Sequence, residues 1–140
     1  MPVIDRVRDA MITEPRSLPA TASAQEAGEV LTPPEVRAVY VVDDAGKLTG
    51  VVTRKTLVAR VVAAGLDPRT TVLGSIAEAP HATIDADTPL DEAFRFLEEQ
   101  DAERVPVVEH GRLVGVLSRS VLGRRLAEDE DPEPELPPAA

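Results

Sequence analysis

The chain has 140 residues, of which 43% are apolar and only 2% aromatic, and it contains no cysteine. This length and apolar content suffice for one compact domain or for two small ones that share a core, whereas the lack of cysteine excludes disulfide frameworks, thiolate nucleophiles and cysteine-based zinc sites. The net charge of −10 is concentrated at one end, because residues 128–140 hold six acids and no base and leave 19 acids against 15 bases elsewhere.

These totals exclude several classes of partner. Nucleic-acid binding relies on a field of lysine and arginine or on aromatic rings that stack with bases, and this chain has neither. The first ten residues carry charges and no apolar signal-peptide core, and no stretch is long enough to span a membrane. We therefore expect a cytoplasmic protein with no nucleic-acid and no membrane partner, and we predict that the tail 128–140, rich in proline and glutamate, is disordered.

The first half of the chain predicts a lead-in helix within VRDAMITEP, followed by a short extended piece, RSLPA. Ser23 and Glu26 have the spacing of a capping box, so a helix is expected to begin there. It should end soon after Leu31, because two prolines follow. The strands AVYVV and KLTGVV, joined by the turn DDAG, come next, and the helix RKTLVARVVAAG is expected to end at Gly65.

The second half repeats this order about 65 residues later. VLGSIAEAP aligns with VRDAMITEP, and HATIDA is the extended piece. Thr88 and Asp91 have the spacing of a second capping box, with Pro89 in the first helical position of a helix that runs to about Gln100. Its apolar stripe has helical spacing and consists of Leu90, Ala93, Phe94 and Leu97. The strands VPVV and RLVGVL, the turn EHG and the helix RSVLGRRLAE complete the copy.

The chain is therefore predicted to contain a duplicated unit, residues 7–65 and 72–127, with the order β-α-β-β-α in an α/β (α+β) fold. A three-stranded sheet with two helices on one face leaves its other face bare, and a unit of about 55 residues is marginal on its own. We predict that the two pseudo-symmetric units pack sheet to sheet as one module.

The residues that carry a resemblance are MITEP with VRAVYVVDDAGKLTGVVTRKTL in the first copy and SIAEAP with AERVPVVEHGRLVGVLSRSVL in the second. In this order and spacing they resemble a tandem pair of CBS domains, the Bateman module, from Val7 to Leu126. The resemblance implies a regulatory protein and not an enzyme, with clefts between the units that bind AMP, ADP, ATP, S-adenosylmethionine or cyclic dinucleotides. It also implies a homodimer formed through the helices, with no required cofactor beyond such a ligand.

The resemblance places ligand contacts at the two junctions between a strand and the closing helix. Thr53 and Ser118 stand there, where a hydroxyl and free backbone N–H groups can meet a phosphate or ribose; plain helix N-caps are the alternative. Family members that bind nucleotides usually carry an aspartate three residues later, where this chain has Thr56 and Val121. Thr56 keeps a hydroxyl and Val121 has none, so a ligand-free scaffold or dimerisation module remains the alternative function.

Basic residues are the second set of candidates. Arg37 and Arg104 precede the first hairpin strand of each unit, at positions where the family places phosphate contacts, and Arg54 and Arg119 follow the two hydroxyl residues. Arginine suits phosphate because its planar fork donates two parallel charge-assisted hydrogen bonds. Pairing with nearby acids such as Glu103 is the alternative.

The expected contacts of an adenine base come from the first hairpin strands. Tyr40 and Pro106 hold equivalent positions, with Val39 and Val105 beside them. The Tyr40 ring is expected either to pack on adenine or to be half-buried with its hydroxyl in water.

Three further residues complete the candidates. Phe96 lies off the apolar stripe of its helix and is predicted to contact a second copy in a homodimer. His81 and His110 have no metal-ligand partner at a useful spacing and are expected on the surface. The sequence has no P-loop and no arrangement of nucleophile and base that would indicate catalysis. We therefore predict a sensor that binds an adenine nucleotide and signals to an effector protein in trans.

Overall fold

The computed structural model describes residues 5–123, which form two β-sheets with helices packed against them. The predicted tail 128–140 and the end of the second unit, 124–127, lie outside the described residues. Within the part that is described, no helix is long and apolar enough to cross a membrane.

Each half of the chain forms its elements in the predicted order. The first half consists of α1 Val7–Ala10, β1 Ile12–Thr13, β2 Ser17–Pro19, α2 Ala24–Val30, β3 Val39–Val42, β4 Leu48–Val52 and α3 Arg54–Leu57. The second half consists of α4 Leu73–Ile76, β5 Ile84–Asp85, α5 Leu90–Glu99, β6 Arg104–Glu109, β7 Arg112–Ser118 and the helical residues 119–123. Helix α3 continues into a π-helical segment, Val58–Val62, and Gly65 has the positive φ of 72° expected of a residue that ends a helix.

The two sheets differ by one strand. The first has the order β2-β3-β4, and the second has the order β1-β7-β6-β5. In both, the hairpin is antiparallel and the short strand before the long helix pairs in parallel with the hairpin. Strand β1 comes from the first half of the chain but pairs with β7, with Ile12 opposite Val116. The second sheet therefore has four strands, whereas the sequence predicts three.

The lead-in segments are exchanged between the units. Val7 of α1 is fully buried in the core of the second unit, while Leu73 and Ile76 of α4 are buried in the core of the first. Backbone hydrogen bonds fix both segments: the Val7 N–H donates to the Thr88 carbonyl at 2.9 Å, and the Leu73 N–H donates to the carbonyl of Ala22 at 2.8 Å. Each unit thus completes its core with residues of the other.

The sheets face each other as predicted. Alternate residues of a strand point to opposite faces, and one face of each hairpin joins a core: Val39, Val41 and Val52 in the first unit, and Val105, Val107 and Leu117 in the second. The hairpin tips also join the units, because the Leu48 N–H donates to the Gly111 carbonyl at 3.1 Å and the Leu113 N–H to that of Gly46 at 3.0 Å. The remaining faces of the sheets line the space between the units.

One of the two predicted capping boxes is confirmed. The Glu26 N–H donates to Ser23 Oγ at 3.1 Å, and the Ser23 N–H donates to Glu26 Oε2 at 3.0 Å. The box predicted at Thr88 is wrong, since Pro89 is the N-cap of α5 and no side chain caps this helix. Here the Leu90 N–H donates to the carbonyl of Asp5 at 3.1 Å instead, so the lead-in of the first unit takes over the capping.

Replacing Gly28 by alanine is expected to raise the free energy of unfolding by about 0.4–1 kcal/mol. Gly28 lies inside α2, where a methyl group would come no closer than 3.9 Å to Leu57 Cδ1. The unfolded chain loses conformational freedom, and the helix gains an ordinary van der Waals contact. Urea unfolding monitored by circular dichroism measures the shift in midpoint, and a lower midpoint would contradict the open packing around Gly28.

Candidate functional site

A cleft of about 580 Å³ lies between the two units, within the range typical of small-molecule sites. Segments of both units form its walls: Ile12, Thr13, Glu14, Pro15, Arg16, Glu35, Val36, Arg37, Ala38, Tyr40, Val51, Thr53, Pro80, His81, Ala82, Ala102, Arg104, Val105, Pro106 and Val116. The pseudo-twofold relation of the units brings equivalent residues together, such as Pro15 with Pro80 and Tyr40 with Pro106. A single ligand in this cleft would contact both units.

The floor of the cleft is apolar. It is formed by the hairpin residues that point away from the two cores, namely Tyr40 and Val51 from the first unit and Pro106 and Val116 from the second. The Tyr40 side chain is buried, and this burial raises the pKa of its phenol, while the positive charge of Arg104 acts in the opposite direction. Arg104, from the second unit, therefore lies within electrostatic range of the Tyr40 hydroxyl, from the first.

The predicted basic residues Arg37 and Arg104 both line the cleft. Both are exposed, and neither is within 4.0 Å of a carboxylate among the described residues. The alternative, that they pair with nearby acids, is therefore not observed. Thr53 and Pro106 also line the cleft as predicted, whereas Val105 borders it but has its side chain buried in the core of the second unit.

Arg16 also lines the cleft, although it was not among the residues predicted from the sequence. It is exposed and follows a turn in which Glu14 has a φ of 58°, a value uncommon for a residue other than glycine. This turn leads the chain from β1, on the sheet of the second unit, to β2, on the sheet of the first. The Tyr40 N–H donates to the Arg16 carbonyl at 2.9 Å, which holds the Arg16 backbone beside the floor of the cleft. The available signal was its place in RSLPA, the piece that aligns with HATIDA.

Three more charged or titratable side chains line the cleft and were not predicted to do so. Glu14 and Glu35 are acids on the wall of the first unit, and His81 is the equivalent of Arg16 in the second unit. The expectation that His81 is on the surface is confirmed, because it is exposed. Its position on the cleft wall could have been inferred only from the alignment of HATIDA with RSLPA in the repeat.

Thr53 and Thr56 form a reciprocal cap at the start of α3. The Thr56 N–H donates to Thr53 Oγ1 at 3.3 Å, and the Thr53 N–H donates to Thr56 Oγ1 at 3.1 Å. Thr56 is only 1% exposed and also donates to Glu78 Oε1 at 3.5 Å. Thr53 therefore faces the cleft, while Thr56 supports it from behind and does not line the cleft.

The remaining predicted contacts lie away from the cleft. Ser118 is buried, with its Oγ 3.1 Å from Ser120 Oγ. Val39 is fully buried in the core of the first unit, because strand alternation directs it away from Tyr40. The Arg54 guanidinium donates to the carbonyls of Leu31 and Pro33, and Arg119 pairs with Asp101 at 3.7 Å.

Phe96, the predicted dimer contact, is half-buried and packs against the core of the second unit. Part of its ring is therefore used within the chain, and its contact with a second copy remains a prediction.

Comparison with known proteins matches the repeat to a family. A model of the CBS domain matches residues 7–63 and 73–127. Hypoxic response protein 1 of Mycobacterium tuberculosis is 33% identical over 94 residues, which make up 67% of this chain and 66% of that protein. The match therefore spans about two thirds of the length of that relative and not the whole of it.

Two solved structures share this architecture over most of the chain. The crystal structure of Hypoxic Response Protein I with two coordinated zinc ions has a TM-score of 0.73 at 28% identity and covers 86% of this chain and 98% of its own. The crystal structure of CBSX2 in complex with AMP has a TM-score of 0.73 at 26% identity and covers 90% of this chain and 98% of its own.

Proposed function

Since the chain belongs to the CBS domain family, we propose that it is a regulatory module that binds an adenosine-type ligand, such as AMP, ADP or ATP, in the cleft between its units. The observation that carries this proposal is the arrangement of Arg37 and Arg104, one from each unit, beside an apolar floor in one cleft. The AMP complex of the similar CBSX2 structure supports the choice of an adenine nucleotide.

Each part of such a ligand finds suitable groups in the cleft. The flat adenine packs against the apolar floor, where the Tyr40 ring and Pro106 face it from the two units. The arginine guanidinium groups donate paired hydrogen bonds to phosphate oxygens. The Thr53 hydroxyl, held by its reciprocal cap with Thr56, contacts the ribose or a phosphate.

Regulation follows from the position of the ligand between the units. A ligand shifts a conformational equilibrium only by its difference in affinity for the two states. A nucleotide that contacts both walls favours the arrangement of units that closes on it. An effector protein in trans, or a second copy of the chain in a homodimer, reads this change, and no catalytic role is proposed.

Saturating nucleotide is expected to raise the melting temperature of the protein. Binding only to the folded state at about 100 times Kd adds about 2.7 kcal/mol of stability, which corresponds to about 5–10 °C for a chain of this size. Differential scanning fluorimetry with AMP, ADP, ATP, S-adenosylmethionine and cyclic di-AMP, with and without Mg²⁺, measures the shift. In Arg37→Ala and Arg104→Ala the shift should fall to half or less, because a hydrogen bond to a charged group is worth about 1.5–3 kcal/mol.

Arg95→Ala is the matched control for these variants. Arg95 is 67% exposed on α5, pairs with Asp91 and does not line the cleft, so its removal should leave the shift unchanged. The absence of a shift with every ligand would contradict the proposal and would favour a ligand-free scaffold. The observation on that side is that Thr56, where the resemblance implies an aspartate, is buried behind Thr53 and does not line the cleft.

A further inference from the structure

We infer that the chain binds one nucleotide and not two, with the phosphate end of the ligand at the junction of the first unit, between residues 35–38 and Thr53. The duplicated chain offers two equivalent junctions between a hairpin and its closing helix, marked by Thr53 and Ser118. Of these two residues, only Thr53 lines the cleft. The number of ligands and the place of the phosphate rest on the proposed function and go beyond it.

The two hairpins differ at the end that leads into the closing helix. In the second unit the ladder of β6 and β7 extends to the pair formed by Arg104 and Ser118. In the first unit the ladder of β3 and β4 stops one pair earlier, which leaves the equivalent residues Ala38 and Thr53 outside it. The strands of the first hairpin are therefore unpaired at the point where those of the second are still joined.

The second junction is closed by contacts within the protein. Ser118 is only 6% exposed, and its Oγ lies 3.1 Å from Ser120 Oγ. The Arg119 N–H donates to the Glu103 carbonyl at 2.8 Å, which ties the start of the closing helix to the residue before β6. The hydroxyl and the N–H that a ligand would need at this junction are thus already engaged.

The first junction is open because a longer connection leads into its hairpin. Eight residues, 31–38, connect α2 to β3, whereas four residues, 100–103, connect α5 to β6. The last part of the longer connection, residues 35–38, lines the cleft throughout, whereas Ala102 alone does so from the shorter one. The additional chain length therefore forms a wall of the cleft in the first unit that the second unit lacks.

The side chains at the two junctions also differ in what they offer a phosphate. Arg37 and Thr53 both line the cleft at the first junction, where a guanidinium and a hydroxyl can donate to phosphate oxygens. Their equivalents in the second unit are Glu103 and Ser118. A carboxylate repels a phosphate, and the serine hydroxyl is enclosed, so the second junction lacks both contacts.

Isothermal titration calorimetry of the full chain with AMP, ADP and ATP tests this inference through the number of ligands bound. One nucleotide is expected per chain. Thr53→Ala should weaken binding about 10-fold, because a hydrogen bond to a charged phosphate is lost. The matched control Ser118→Ala removes the equivalent hydroxyl and should change the affinity by less than about 2-fold.

Thr53 also caps α3, so a further variant separates a ligand contact from a structural effect. Thr53→Ser keeps the hydroxyl and should retain the affinity of the unaltered chain within about 2-fold. The melting temperature of each variant without ligand shows that it is folded. The number of ligands is measured on the unaltered chain and does not depend on any variant.

The outcomes distinguish this inference from the proposed function. Two nucleotides per chain, or an equal loss of affinity in Thr53→Ala and Ser118→Ala, would overturn the single site while leaving the adenosine-type ligand in place. One nucleotide per chain whose affinity does not change in Thr53→Ala would also overturn it, because the phosphate would then lie elsewhere. If none of the three nucleotides binds, both the inference and the proposed function are wrong.

Discussion

Replacing Leu73 by alanine is expected to lower the free energy of unfolding by about 2–5 kcal/mol. Leu73 precedes the second unit in sequence, yet its side chain is fully buried in the core of the first. The variant loses the transfer free energy of the removed atoms and leaves a cavity among residues of the other unit. Since each core contains residues of both units, we expect urea to unfold the variant in a single cooperative transition. Circular dichroism measures this transition and its lower urea midpoint.

Leu66→Ala is the matched control for this substitution. Leu66 lies in the same connection between the units but is 47% exposed, so its loss should change stability by less than about 0.5 kcal/mol. Equal effects of the two substitutions would show that α4 is not seated in the first core. Two separate transitions in Leu73→Ala would show that the units fold independently, contrary to the exchange of lead-in segments.

The sequence predicted the order of the elements because the signals for that order are local. The capping box at Ser23, the turn glycines and the alternation of valines each act within a few residues of one another. The repeat then added long-range information, since two copies with bare sheets have a reason to face each other. The exchange of α1 and α4 has no such signal, because it depends on contacts between segments far apart in the chain.

The candidate site was predicted less completely, for a similar reason. Arg37, Tyr40 and Arg104 line the cleft, and they could be selected because the hairpins that carry them are visible in the sequence. Val39 is buried in the core of the first unit instead, because the sequence shows that its strand alternates but does not show which face of the strand lies toward the cleft. Arg16 was missed because the turn that directs it depends on the pairing of β1 with the other unit.

Arg54 shows that a position next to a predicted site does not by itself place a side chain in that site. Its position after Thr53 suggested a phosphate contact, but its guanidinium donates to the carbonyls of Leu31 and Pro33 at the end of α2. Helix α2 ends at Val30, just before the two prolines, and the carbonyls of its C-cap Leu31 and of Pro33 have no helical N–H to pair with. The same prolines that were correctly predicted to end the helix therefore explain why Arg54 is engaged elsewhere.

Replacing Gly115 by alanine is expected to destabilise the protein by about 1–3 kcal/mol and also to weaken ligand binding. A methyl group there would lie 2.8 Å from the Ile12 carbonyl oxygen and 2.6 Å from Met11 Sδ. The methionine can move aside, but the Ile12 carbonyl belongs to β1, so the strand must shift away from β7. Because β1 leads directly into the turn that places Arg16, the shift disturbs the cleft as well as the sheet.

Gly50 holds the equivalent position in the first unit. It tests whether both units need a glycine where a lead-in segment approaches the hairpin. A methyl group at Gly50 would lie 2.8 Å from the Cβ of Ala77, in the lead-in that pairs with β4, so Gly50→Ala should also be destabilising. Gly28→Ala, with open space around it, is expected to change stability in the opposite direction. The urea midpoints of the three variants are measured together. A lower midpoint for Gly115→Ala and Gly50→Ala, but not for Gly28→Ala, would show that the cost comes from the close approach of a lead-in segment and not from replacing glycine as such. If Gly115→Ala and Gly50→Ala are as stable as the parent chain, the lead-in segments do not pack closely against the opposite sheets. That result would contradict the exchange of lead-in segments between the two units.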